Sequence, residues 1–77
     1  KVRGHRIELG EIDTALSRIA GITRGVALTI GEPKMLVAAL VMDEHTTLNS
    51  KAVNAELALL LPDYMVPSHL FAVDILP

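Results

Sequence analysis

The chain has 77 residues, 51% of them hydrophobic, 3% aromatic and 21% charged, which is enough for one small domain and no more. A chain of this size buries only roughly 60–65% of its unfolded surface, so the expected core is thin. Cysteine is absent, which excludes disulfides and thiolate metal sites. Seven Lys and Arg against nine Asp and Glu give a formal charge of −2, without the basic excess of a nucleic-acid binder. The longest apolar run, Met35–Met42, falls far short of the roughly 20 residues of a membrane span. The opening residues lead into no signal-peptide core and lack an initiator methionine. The expectation is a soluble, cytoplasmic segment excised from a longer protein, with neither membrane nor nucleic acid as partner.

Leu9, Ile12, Leu16 and Ile19 recur at helical spacing with Ala15 on the same stripe, predicting a first helix over Leu9–Ala20. Glu8, Glu11 and Asp13 suit its N-terminal dipole, and Gly21 offers a C-terminal cap. From Thr23 to Ile30, Val26, Leu28 and Ile30 alternate with Ala27 and Thr29, the period of a half-buried strand. Gly31-Glu32-Pro33-Lys34 signals a turn into Met35–Met42, read as the second strand of a hairpin, buried on both faces. Asn49 or Ser50 caps a second helix in which Val53, Leu57, Leu60 and Leu61 share a face, and Pro62 ends it. Leu70–Leu76 closes the chain as a strand with Phe71, Val73 and Ile75 on one face. The expected fold class is α+β: about three strands plus a short N-terminal strand, packed with two helices.

Two segments are more specific. Lys1-Val2-Arg3-Gly4-His5-Arg6-Ile7-Glu8-Leu9-Gly10-Glu11-Ile12-Asp13 resembles the K-I-R-G-x-R-I-E-L-G-E-I-E motif, with Val2 and Asp13 as mild changes. Leu60-Leu61-Pro62-Asp63-Tyr64-Met65-Val66-Pro67 contains the L-P-x-Y-M-V-P motif without a departure. Both motifs belong to the C-terminal subdomain of amino-acid adenylation domains in nonribosomal peptide synthetases, a branch of the adenylate-forming, AMP-binding superfamily. Their order and separation also fit, so the resemblance covers essentially the whole chain.

The resemblance implies a mobile subdomain of a ligase. A large N-terminal adenylation subdomain would bind ATP, Mg and an amino acid and form the aminoacyl-adenylate. The small subdomain would then swivel, and the aminoacyl group would pass as a thioester to the phosphopantetheine of a peptidyl carrier protein, in secondary metabolite biosynthesis. In the family, the loop matching Arg3, Gly4, His5 and Arg6 borders the pantetheine tunnel, where a residue without Cβ permits close backbone approach. Glu8, Gly10, Glu11, Pro62, Tyr64, Met65 and Pro67 are implied as docking or structural residues. The family's hinge residue lies before Lys1, and its catalytic lysine lies in a P-x-T-x-x-G-K-x-D-R motif that should begin near Pro77. Residues 1–77 therefore read as one subdomain truncated before that lysine. Lys1, Lys34 and Lys51 do not take its role, and no activity, bound cofactor or metal is expected of the segment alone.

Weighed residue by residue, Glu8 and Glu11 read more simply as dipole partners than as an acid–base pair. Asp43-Glu44-His45 reads as a solvated loop rather than a metal site, and Ser50 as a cap rather than a nucleophile. Arg3 and Arg6 are open between phosphate contact and solvated charge. Tyr64 and Met65 are open between packing beneath a connection fixed by Pro62 and Pro67 and lining a docking surface. An alternative function is an independent α+β interaction or dimerisation module. A carrier protein is disfavoured, because no Asp-Ser dipeptide is present to bear pantetheine.

Overall fold

The computed structural model describes residues 4–74. In chain order these form helix α1 (Leu9–Leu16), strands β1 (Ile22–Ile30) and β2 (Met35–Met42), helix α2 (Ser50–Leu60), a 3-10 turn (Asp63–Met65) and strand β3 (His69–Ala72). The fold is α+β, with a three-stranded mixed sheet in the order β1-β2-β3. β1 and β2 form the antiparallel hairpin that the turn signal predicts. β3 lies parallel to β2, and α2 belongs to the long crossover that parallel pairing requires.

β2 is central, and Leu36 to Leu40 are all buried, as its unbroken apolar run predicts. Leu36, Ala38 and Leu40 face the helices, meeting Ile12, Ala15 and Leu16 of α1 and Val53 and Leu57 of α2 in one core. Ile12, Leu16, Leu40 and Leu57 are wholly inaccessible, each worth about 1.5–3 kcal/mol of hydrophobic stabilisation. Asn49 is the N-cap of α2, its side chain accepting the Ala52 N–H at 3.1 Å. Ser50 is the first helical residue and not the cap.

Several expectations are corrected. α1 stops at Leu16, four residues early. Beyond it the bonds run to the third preceding residue, Arg18 N to Ala15 O at 3.1 Å and Ile19 N to Leu16 O at 3.2 Å. Ser17 Oγ also donates to the Thr14 carbonyl at 2.6 Å, competing with helical pairing. Ile19 stays buried nonetheless, so the apolar spacing outlasts the helix. Ser17 and not Gly21 is the C-cap. Gly21 instead turns the chain into β1 at φ +90°, with Thr46 Cγ2 only 2.7 Å from where a Cβ would stand.

The faces of the outer strands are the reverse of those expected. In β1 it is Gly25 and Ala27 that lie under α1, while Val26 and Leu28 point away and are half-buried, and Ile30 is exposed. The reason is steric: a Cβ at Gly25 would stand 2.9–3.1 Å from Leu16 and Leu40 atoms, so the helix sits where side chains are smallest. In β3, Leu70 packs on the core and Phe71 is 41% exposed on the opposite face. Leu60 is exposed and Leu61 takes the inward place at the end of α2. Of the short N-terminal strand, His5 alone forms a bridge, and Lys1 to Arg3 lie outside the described residues. Ile75 to Pro77 of the expected last strand lie outside them as well. Backbone pairing of β3 with β2 extends from Ser68 N to Leu36 O through Val73 N to Leu40 O, both 2.8 Å.

One polar tie shapes the sheet. Asp13 of α1 accepts the Ala27 backbone N–H at 2.7 Å through Oδ1. Because β1 is, among the described residues, an edge strand paired only with β2, this amide points outward and the carboxylate closes it.

Candidate functional site

The two motif segments meet on one side of the domain. The first enters α1 as a loop. Gly4 adopts φ +79°, in the left-handed region that favours glycine. A Cβ there would meet nothing within 4 Å among the described residues, so the backbone at Gly4 is bare toward them. His5 and Arg6 follow, both exposed. Arg6 Nε donates to Glu8 Oε1 at 2.8 Å, with the side chains 85% and 55% exposed. A pair this open to water holds its partners weakly, so the guanidinium is available to another anion. Glu8 is the residue before α1 and makes no capping hydrogen bond with its side chain.

The second segment leaves α2 through Pro62, whose carbonyl accepts the Met65 N–H at 2.9 Å to form the 3-10 turn. Met65 is 4% exposed and packs in the core, and Pro67 is fully buried. Tyr64 does not pack beneath the turn. It is 42% exposed, and its ring stacks on His5 with centroids 4.2 Å apart and planes inclined by 12°. A ring stack of this kind contributes roughly 0.5–1.5 kcal/mol beyond the area it buries.

Beside this junction an open groove runs between the start of α1 and the end of α2. Glu8, Gly10 and Glu11 line one wall, with Arg18 farther along, and Leu60, Leu61 and Pro62 line the other. Gly10 is helical, has no positive φ and has open space where its Cβ would stand. Nothing within the described residues requires a glycine there. The structure thus brings together Gly4, His5, Arg6, Glu8, Tyr64 and the groove residues Gly10, Glu11 and Pro62, while Met65 and Pro67 are anchors beneath. Arg3 lies outside the described residues.

Asp43, Glu44 and His45 are exposed, and Asp43 accepts a hydrogen bond from the Thr23 hydroxyl. Among the described residues no group of three or more His, Cys, Asp or Glu side chains is arranged to hold a metal ion. No helix among them is long and apolar enough to cross a membrane. Sequence reasoning missed the His5–Tyr64 stack, the Asp13 tie, and the groove positions of Thr14 and Arg18. Only the presence of His5 and Tyr64 in the two motif segments hinted at the first.

No family model matches the chain. Among curated relatives, a linear gramicidin synthase polypeptide of Brevibacillus parabrevis is 41% identical over 80 residues, covering 100% of this chain and 2% of the relative. The anguibactin system regulator of Vibrio anguillarum is 40% identical over 84 residues, covering 100% of this chain and 8% of the relative. The chain therefore spans only a small part of the relatives it matches. Among solved structures, a four-domain nonribosomal peptide synthetase bound to AMP and glycine superposes with a TM-score of 0.85 at 41% identity, over 100% of this chain and 6% of that one. Over its whole length the chain is thus homologous to a small segment of nonribosomal peptide synthetases that contain adenylation domains, and its fold is that of the C-terminal domain of AMP-binding enzymes.

Proposed function

We propose that residues 1–77 are the mobile C-terminal subdomain of an amino-acid-activating enzyme, assisting adenylate formation and then thioester transfer to a carrier-protein phosphopantetheine. The observation that carries this reading is the convergence of the two motif segments on one face, through the loop at Gly4–Arg6 and the turn at Asp63–Met65. ATP supplies the activated phosphoanhydride when it is bound, with Mg, by the N-terminal adenylation subdomain.

On this reading each local group has a task. The bare backbone at Gly4 lets a slender pantetheine chain pass close to the loop. Arg6 exchanges its exposed contact with Glu8 for an anion on the facing surface. The groove walls, with Gly10, Glu11 and Pro62, meet the N-terminal subdomain. A lysine outside residues 1–77 neutralises charge developing at the reacting carboxylate and α-phosphate.

The test separates the half-reactions in the full enzyme that carries this segment. Gly4→Ala and Gly4→Leu share the same left-handed strain, about 1–2 kcal/mol, but differ in bulk. Thioester formation should fall further in Gly4→Leu than in Gly4→Ala, while amino-acid-dependent ATP–pyrophosphate exchange should be alike in the two. Equal thioester rates in the two variants would defeat the tunnel assignment. Exchange activity from the 77-residue chain alone would defeat the division of labour.

A further inference from the structure

We propose that Tyr64 is a positioning residue for the loop Gly4–Arg6, acting through its stack on His5; this rests on the functional reading above and names how the loop is held. The sequence contains one tyrosine, one phenylalanine and no tryptophan. In a thin core so short of aromatic rings, Tyr64 is nonetheless 42% exposed and lies against His5 instead of the interior.

The two partners differ in how firmly they are held. Tyr64 stands on a turn fixed from below by buried Met65 and Pro67, and closed by the bonds Met65 N to Pro62 O and Val66 N to Asp63 O at 2.9 and 3.2 Å. His5 stands on a loop whose neighbours are a glycine at positive φ and an arginine in an exposed ion pair. The more firmly anchored member therefore sets the position of the other. With the rings inclined by only 12°, the stack holds the His5 side chain, and together with the backbone bridge at His5 it sets the direction in which Gly4 and Arg6 are presented. The ring face does this and the hydroxyl is not required, so phenylalanine should substitute and leucine should not.

Two measurements test the proposal. In the 77-residue chain, NMR should show the His5 ring protons displaced upfield by the Tyr64 ring current. The displacement should persist in Tyr64→Phe and vanish in Tyr64→Leu. An undisplaced His5 in the unmodified chain overturns the proposal, whatever the enzyme does. In the full enzyme, Tyr64→Leu should slow thioester formation by roughly 2- to 10-fold, the factor that the loss of one aromatic stack allows. Adenylate formation should change less, and Tyr64→Phe should restore the rate.

His5→Ala should produce a similar loss, and the double variant should be no worse than either single one, since the two rings act as a unit. Additive losses, or equal losses in both half-reactions, overturn the proposal. If the unmodified enzyme fails to activate an amino acid, the functional reading falls, and the NMR comparison still decides whether Tyr64 holds the loop.

Discussion

Gly25 gives the sharpest test of how this small domain is packed. A Cβ at this position would stand 2.9 Å from Leu16 Cδ1, 3.0 Å from Leu16 Cβ and 3.1 Å from Leu40 Cδ2. Leu16 and Leu40 are both wholly inaccessible, so neither can swing aside. The contact with Leu16 Cβ is at the root of the side chain, and relieving it means moving α1 itself. Overpacking of this kind costs about 1–3 kcal/mol, against which alanine recovers about 0.5–1 kcal/mol of the backbone entropy of a strand glycine. Gly25→Ala should therefore lose up to about 2.5 kcal/mol net, a fall of up to about 20 °C in Tm for a domain of this length. Thermal unfolding followed by circular dichroism would measure it. Gly10→Ala is the internal control: no atom lies within 4 Å of its Cβ, and alanine in a helix should raise stability, by up to about 1 kcal/mol. A Gly25→Ala variant more stable than the unmodified chain, as the backbone term alone would make it, would refute the claim that helix approach dictates the glycine.

Two further substitutions address polar ties. Asp13→Ala leaves the Ala27 amide without its partner and should destabilise by about 1–3 kcal/mol in urea titrations. Asp13→Asn, which keeps an acceptor oxygen, should lose clearly less. Asn49→Ala removes the acceptor of the Ala52 N–H and should lose about 1 kcal/mol, whereas Ser50→Ala should be close to neutral, since Ser50 is not the cap.

What is legible in the sequence follows from what patterns encode. Apolar periodicity locates both helices, the hairpin and the doubly buried β2, because burial is what the pattern records. It overextends α1 because Ile19 is buried without being helical, and nothing in hydrophobic spacing distinguishes a helical turn from a tighter one. It inverts the faces of β1 and β3 because large apolar residues are expected to point inward. In β1 the inward positions are Gly25 and Ala27, which the helix needs to be small, and Val26 and Leu28 occupy the other face. The motif segments mark the candidate site, but the contact between them is beyond the reach of pattern. His5 and Tyr64 lie at opposite ends of the sequence, and their stacking depends on how the chain returns through α2. The Asp13 carboxylate reads as a dipole partner because its actual partner, an amide in the next strand, leaves no trace in local composition.

The mixed pairing of β2 also joins contacts of very different range. α1, β1 and β2 are joined by tight connections, so their contacts close short loops and form at little entropic cost. β3 reaches β2 only after the chain has passed through α2 and the proline-bounded turn. Non-local parallel pairing of this kind closes a longer loop and carries the larger entropic cost. The Tyr64 platform stands on that same returning stretch, so the junction between the motif segments rests on the same long-range closure. The part of the molecule that carries the candidate site is thus held together by contacts between distant stretches of the chain, where the loops to be closed are longest.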